Sequence, residues 1–337
     1  MANINLRLVV IVFSFFLIVL LAGWLPHEKQ ASKYDFPILK GPYLGQKSPK
    51  ETPIQFAPEI FFNRVCTQTY IELHSSVQFS PDGKELYFEL QSRSNDLGKY
   101  KKTIMFMKME NGKWTKPMAV FASAESNDSS PILSPDGKRL YFASDRYFPG
   151  KEEPKDKDIW FVEKSEKGWS EPQNLDPPIN TSMIESCPSF TKDGTLYFYR
   201  NLNKEDGWGE IFRSRFINGK YTKPKRLGNS INTQGYEASP LIAPDESYLI
   251  FYSLNRSEGK GQYISFRRKD GSWTKAKNMG DSINAGGLAF CSSFSPDRKY
   301  FFFLLRKINQ IKEPEREPGI YWVDAKIIDE LKPEELK

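Results

Sequence analysis

The chain is poor in the residues on which much enzyme chemistry depends. Its 337 residues include two histidines, His27 and His74, and three cysteines, Cys66, Cys187 and Cys291. That is too little histidine for a His-based zinc site or a Ser-His-Asp relay. The cysteines build no disulfide framework and match no metal spacing. No glycine-rich phosphate loop occurs. Net charge is small as well, with 48 basic and 42 acidic residues giving +6. The basic residues are spread along the chain with no stripe for a nucleic acid, so no nucleic-acid partner is expected. No cofactor and no His- or Cys-based metal centre is expected either.

Long apolar runs are lacking with one exception. Leu8 to Leu25, LVVIVFSFFLIVLLAGWL, carries no charge and follows Arg7. Such uniformity suits a membrane-spanning helix better than a core helix. Leu21-Ala22-Gly23 offers small residues for cleavage, but the run exceeds the usual apolar region of a signal peptide, and Trp24-Leu25-Pro26 is a poor cleavage context. A retained anchor over residues 1–26 is favoured over a cleaved signal. Either one places the rest of the chain outside the cytoplasm, periplasmic if anchored and secreted if cleaved. Residues 27–52 are polar and broken by Pro and Gly, which reads as a tether. Residues 326–337 read as a tail with a short helix.

What the chain has in quantity is a repeat. VQFSPDGKELYF starts at Val77, PILSPDGKRLYF at Pro131 and PSFTKDGTLYFYR at Pro188; PLIAPDESYLIFYS and SSFSPDRKYFFFLL follow from Pro240 and Ser292. The shared aspartates, Asp82, Asp136, Asp193, Asp245 and Asp297, are spaced by 54, 57, 52 and 52 residues. A period of this length denotes stacked supersecondary units, none able to bury its apolar face alone. Pro fixes φ and Gly supplies positive φ, so Pro-Asp-Gly is a tight turn whose Asp caps it. An alternating strand follows (Leu86-Tyr87-Phe88, Leu140-Tyr141-Phe142), then a loop with Arg or Asn, then a third strand such as Asp158-Ile159-Trp160-Phe161. A Gly-containing hairpin leads to Trp114, Trp169, Tyr221 or Trp273, taken as the start of a fourth strand.

Four antiparallel strands per period describe a propeller blade. The fifth unit has only three strands before Ala325, and Thr52–Phe61 lies where a fourth strand without a blade should be. Pairing the two closes the ring and removes its free edges. The expectation is an all-β, five-bladed propeller over residues 53–325, closed by an N-terminal strand and preceded by a transmembrane helix. The turns, the Leu-Tyr-Phe strands and the Asp-Ile-Trp-like strands resemble the WD40-like Pro-Asp repeats of the TolB-type propeller family. The resemblance departs at Lys192, Glu246 and Arg298, where Pro, Gly and Gly are expected. It implies an exported bacterial envelope protein engaged in protein contacts.

Eight residues before the repeat aspartates stand His74, Asp128, Glu185, Glu237 and Ala289. In a propeller this position begins the innermost strand, beside the central channel. The expected ligand-binding site is this ring at the channel mouth, with Arg93, Arg146, Arg256 and Arg306 around it, returned to the same face by the second strand. Such a ring suits a cation or an inserted Lys or Arg. The structural alternative is that each carboxylate accepts bonds from neighbouring backbone. The recurring Asn180, Asn232 and Asn284 read as turn formers near the rim. Cys187 and Cys291 share a slot with Ser76, Ser130 and Ser239 and read as small channel-lining residues. A binding scaffold for an envelope protein or peptide is the leading reading. The alternative is a carbohydrate hydrolase or lyase, with Glu185 and Glu237 converging as a carboxylate pair.

Overall fold

The computed structural model describes residues 36–61, 70–73, 75–93, 100–121, 126–147, 156–202, 208–306 and 316–337. The run Leu8–Leu25 and His74 lie outside these residues, as does Cys66. Among the described residues no helix is long and apolar enough to cross a membrane.

Among the described residues, the unit Ile38–Lys337 holds five antiparallel blade sheets, one per repeat, and a two-stranded ribbon of Phe216–Ile217 with Lys220–Tyr221. In blade two, Asp128–Leu133, Arg139–Ser144, Asp158–Ser165 and Gln173–Asn174 lie in order from first strand to fourth. Blade three runs Glu185–Phe190, Leu196–Asn201, Gly209–Ser214, Lys225–Arg226, and blade four Glu237–Ile242, Tyr248–Ser253, Gly261–Phe266, Lys277–Asn278. In blade one the first strand is split into Tyr70–Leu73 and Gln78–Phe79, both paired with Glu85–Arg93; Tyr100–Glu110 and Met118–Ala119 complete it. Leu288–Phe294, Tyr300–Arg306 and Gly319–Asp324 make blade five.

The fourth strand of blade five comes from the other end of the unit, as the repeat requires. Ile54 pairs with Trp322 and Gln55 with Tyr321. The ring is thereby closed by hydrogen bonds between chain ends, leaving blade five no unpaired outer edge beside Tyr321 and Trp322. Phe56 follows, fully buried, with its ring 5.1 Å from both Phe302 and Trp322. Residues 38–50, part of the segment whose composition reads as a tether, lie on the propeller. The Trp114 indole N–H donates to Gly41 O at 2.9 Å, and Tyr43 packs edge-on against Phe79 and Tyr300. The Tyr43 hydroxyl donates to Asp297 at 3.1 Å.

Trp114, Trp169 and Tyr221 are not in the fourth strands. They sit on short hairpin returns against the third strand or its extension, as Met109–Trp114, Lys164–Trp169 and Phe216–Tyr221 pairings, and the fourth strand resumes a few residues later. Apolar cores fill the seams between blades. Tyr87, Leu140, Phe142 and Trp160 occupy the first seam; Ile250, Phe301 and Phe303 occupy the last before closure.

Candidate functional site

The repeat aspartates act as turn caps. Asp136 accepts from the Ser134 hydroxyl at 2.6 Å and the Lys138 amide at 3.0 Å; Asp82 and Asp297 repeat the pattern. The Ser134 hydroxyl and the backbone amide hold Asp136 below the usual carboxylate range, and the Thr191 hydroxyl does the same for Asp193. All five aspartates lie at the end of the strands opposite the expected site.

At the other end, the acidic positions are buried. Asp128, Glu185 and Glu237 are at most 1% exposed. Each is bound to an arginine of its own blade: Asp128 to Arg146 at 2.7 Å, Glu185 to Arg200 at 2.8 Å, and Glu237 to Arg256 at 3.6 Å. In blade three the arginine is Arg200, directly across the ladder from Glu185. Each guanidinium also lies over aromatic faces, two for Arg200 and Arg256 and three for Arg146, which is also 5.2 Å from Phe121. Arg146 is 5.0 Å from Phe142 and 5.4 Å from Trp160; Arg200 is 5.3 Å from Phe198 and 4.9 Å from Phe212; Arg256 is 5.1 Å from Phe251 and 5.0 Å from Tyr263. The Phe of Leu-Tyr-Phe and the third-strand aromatic thus form a platform for the cation that neutralises the carboxylate. Burial pushes Asp128 and Glu185 up despite these arginines, so desolvation outweighs the charge pairing.

In blades three and four the connections between blades complete the knot. Thr181 donates its hydroxyl to Glu185 at 2.6 Å and its amide at 3.1 Å; Thr233 does the same to Glu237 at 2.7 and 3.1 Å. The preceding asparagines bond third-strand backbone instead of closing turns of their own. Asn232 accepts from Ile211 N–H and donates to Ile211 O, both at 2.9 Å; Asn180 does so to Ile159 and Asn284 to Gln262. Ile179, Ile231 and Ile283 are fully buried beside them. Blade five has Ala289 in the acidic slot and Ala285 in place of the threonine, so hydroxyl and carboxylate are lost together. Its arginine, Arg306, lines the channel mouth. The Arg93 side chain lies outside the described residues.

The channel is lined by Ser76, Ser130, Cys187, Ser239 and Cys291. Ser130, Cys187 and Ser239 precede prolines, which cannot donate to a ladder, and at each the first strand bulges by one residue. The bulge puts these residues and Cys291 at φ of 50 to 55°. Neighbouring groups touch around the axis: Ser130 to Cys187 at 3.6 Å, Cys187 to Ser239 at 3.8 Å, Ser239 to Cys291 at 3.5 Å. Beneath is a space of about 40 Å³, enough for very few waters. Burial, with the Cys187 thiol beside it, pushes the Cys291 thiol up and keeps it protonated.

Above the ring opens a funnel of about 460 Å³. Its walls are unlike each other. Lys102 and Lys157 stand on blades one and two. Tyr236, Tyr252 and Phe290 stand on blades four and five, with Tyr199 of blade three behind Tyr236. None of these was singled out from the sequence, although register explains them. Met105, Trp160 and Phe212 pair with Phe88, Phe142 and Phe198. Three residues before them stand Lys102, Lys157 and Gly209. In blade three a Cβ at this position would meet the Tyr199 ring at 1.9 Å, so glycine makes room for the aromatic wall. Aligning third-strand starts would have exposed the lysines.

No protein-family model and no curated protein matches the chain. Solved structures do. A protein of unknown function from Dyadobacter fermentans DSM 18053 is 14% identical with a TM-score of 0.51, covering 83% of this chain and 84% of its own. TolB from Acinetobacter baumannii is 17% identical with a TM-score of 0.45, covering 75% of this chain. A puromycin-hydrolysing peptidase from Mycobacterium tuberculosis is 13% identical with a TM-score of 0.41, also covering 75% of this chain. The chain spans 57% of that TolB and 36% of that peptidase. At these identities the likeness concerns the fold alone, and the fold is an all-β propeller of five antiparallel blades.

Proposed function

We propose that this chain is an exported, membrane-tethered propeller of the bacterial envelope that serves as a binding scaffold, holding a protein or peptide at the channel mouth. The observation that carries the reading is the funnel itself. It is an open recess with cationic and aromatic walls above a ring of small side chains, while the carboxylates of the same face are consumed within the blades. That second point also weighs against a glycoside hydrolase. Glu185 and Glu237 are each buried and bound to an arginine of their own blade, whereas a carboxylate pair must reach both faces of a sugar bond. Tethering is supported by the uncharged run Leu8–Leu25. The fold resemblance to TolB-type propellers agrees with an envelope role.

A photo-crosslinking residue at Leu254, exposed at the funnel rim, tests this in the native membrane against one at Phe216, exposed on the turn face. Adducts from position 254 and not from 216 are expected. Adducts from 216 alone, or from neither, overturn the reading.

A further inference from the structure

We propose that the funnel receives a carboxylate carried beside an apolar or aromatic side chain, as presented by the last residue of a peptide. The inference rests on the scaffold reading and names the chemistry its ligand presents.

The cationic wall is the first support. Lys157 lines the funnel, and its ammonium makes no ion pair or hydrogen bond with any described residue. The carboxylates that bear on it are engaged elsewhere. Glu89 binds the Lys102 ammonium at 3.2 Å and the Ser130 amide at 2.9 Å; Asp145 accepts from the Asn127 backbone at 2.6 Å and its side-chain amide at 2.8 Å. Burial first, and then the Lys102 charge, hold Lys157 below the ordinary lysine range. An anion placed between the two lysines relieves that cost. With Asp128, Glu185 and Glu237 withdrawn beneath the surface, no ring carboxylate competes for the site.

The opposite wall supplies the second support. Tyr199, Tyr236, Tyr252 and Phe290 form an arc with successive ring centroids 5.5, 6.3 and 6.0 Å apart. This arc offers apolar area at little conformational cost, because the rings already pack on one another. Shape decides between sources of the carboxylate. The funnel narrows to the Ser130–Cys187–Ser239–Cys291 ring, where side chains touch. A chain end brings one strand of backbone into such a recess, whereas an internal acidic residue brings two.

The test uses the full-length chain in detergent micelles and fluorescence anisotropy of three peptides with a neutral fluorophore at the amino end. They are Gly-Ala-Phe as free acid, the same peptide as C-terminal amide, and Gly-Asp-Phe amide, whose anion is internal. The free acid should bind about tenfold tighter than either other peptide, as expected for a charge-assisted bond. Lys157→Met removes no existing partner and should leave unfolding unchanged while bringing the acid down to the level of the amide. Tyr252→Ala should weaken acid and amide together. Equal binding of acid and amide, a preference that survives Lys157→Met, Gly-Asp-Phe amide matching the free acid, or no binding by the folded wild type each overturns the proposal. A Leu254 adduct without any preference for the acid leaves the scaffold standing and overturns this inference alone.

Discussion

Glu185 shows how a residue that looks like a ligand contact can be part of the frame. It takes two bonds from Thr181 and one from Arg200, whose guanidinium lies over Phe198 and Phe212. Glu185→Ala leaves Arg200 without its carboxylate and should cost about 3 kcal/mol in urea unfolding. Glu185→Gln should cost less, since an amide still accepts from Thr181 and burial already disfavours the charge. An unchanged midpoint in both variants would mean the knot contributes nothing. The turn aspartates respond to acid with a definite sign. Asp136 is depressed in the folded state, so its contribution is present above its unfolded value and is lost as pH falls through the folded one. Asp136→Asn should therefore reduce stability at pH 7, by well under 1 kcal/mol because the group is largely exposed. The gap from wild type should close on strong acidification. Asp128 and Glu185 have the opposite sign: their folded values are raised, so the cost of their charge is present at pH 7 and is relieved as pH falls through those values.

Among the elements, the closing strand is only two residues long and carries a large consequence. Ile54–Gln55 contributes two residues to the ladder, yet Phe56 beside it fills the seam between the first and last blades among Phe61, Phe79, Phe302 and Trp322. Phe56→Ala should cost about 3–5 kcal/mol, as large-to-small changes in aromatic cores do. Ile54→Ala, at a half-exposed site on the same strand, should stay within about 0.5 kcal/mol. Comparable losses from both would show that pairing, and not the aromatic seam, closes the ring. Period, turns, blade number and closure were legible because each is written locally: Pro-Asp-Gly sets the turn, Leu-Tyr-Phe the next strand, and the surplus strand at one end matches the deficit at the other. The roles of Asn180, Asn232 and Asn284 were not legible. Their partners lie 21 or 22 residues upstream and are chosen by sheet register. The bulge that turns Ser130, Cys187 and Ser239 to the axis was signalled by the prolines that follow them.

For the whole molecule, fivefold repetition builds the frame and departures from it make the mouth. The acidic slot could be located from the sequence because it repeats, but its pairing with an arginine of the same blade shows only in the structure. The funnel escaped notice for the converse reason. Lysine in blades one and two, glycine under Tyr199 in blade three, and tyrosine at 236 and 252 are differences between repeats, and they face one another only once the ring is closed. The central claim is that the acids hold the blades while Lys157 and the aromatic arc meet the ligand. Its most direct test is the yield of the Leu254 crosslink per folded molecule in Glu237→Gln and in Lys157→Met. Retained yield in Glu237→Gln with loss in Lys157→Met is the expected result. Loss in Glu237→Gln with full yield in Lys157→Met would contradict it and return the binding role to the acidic ring.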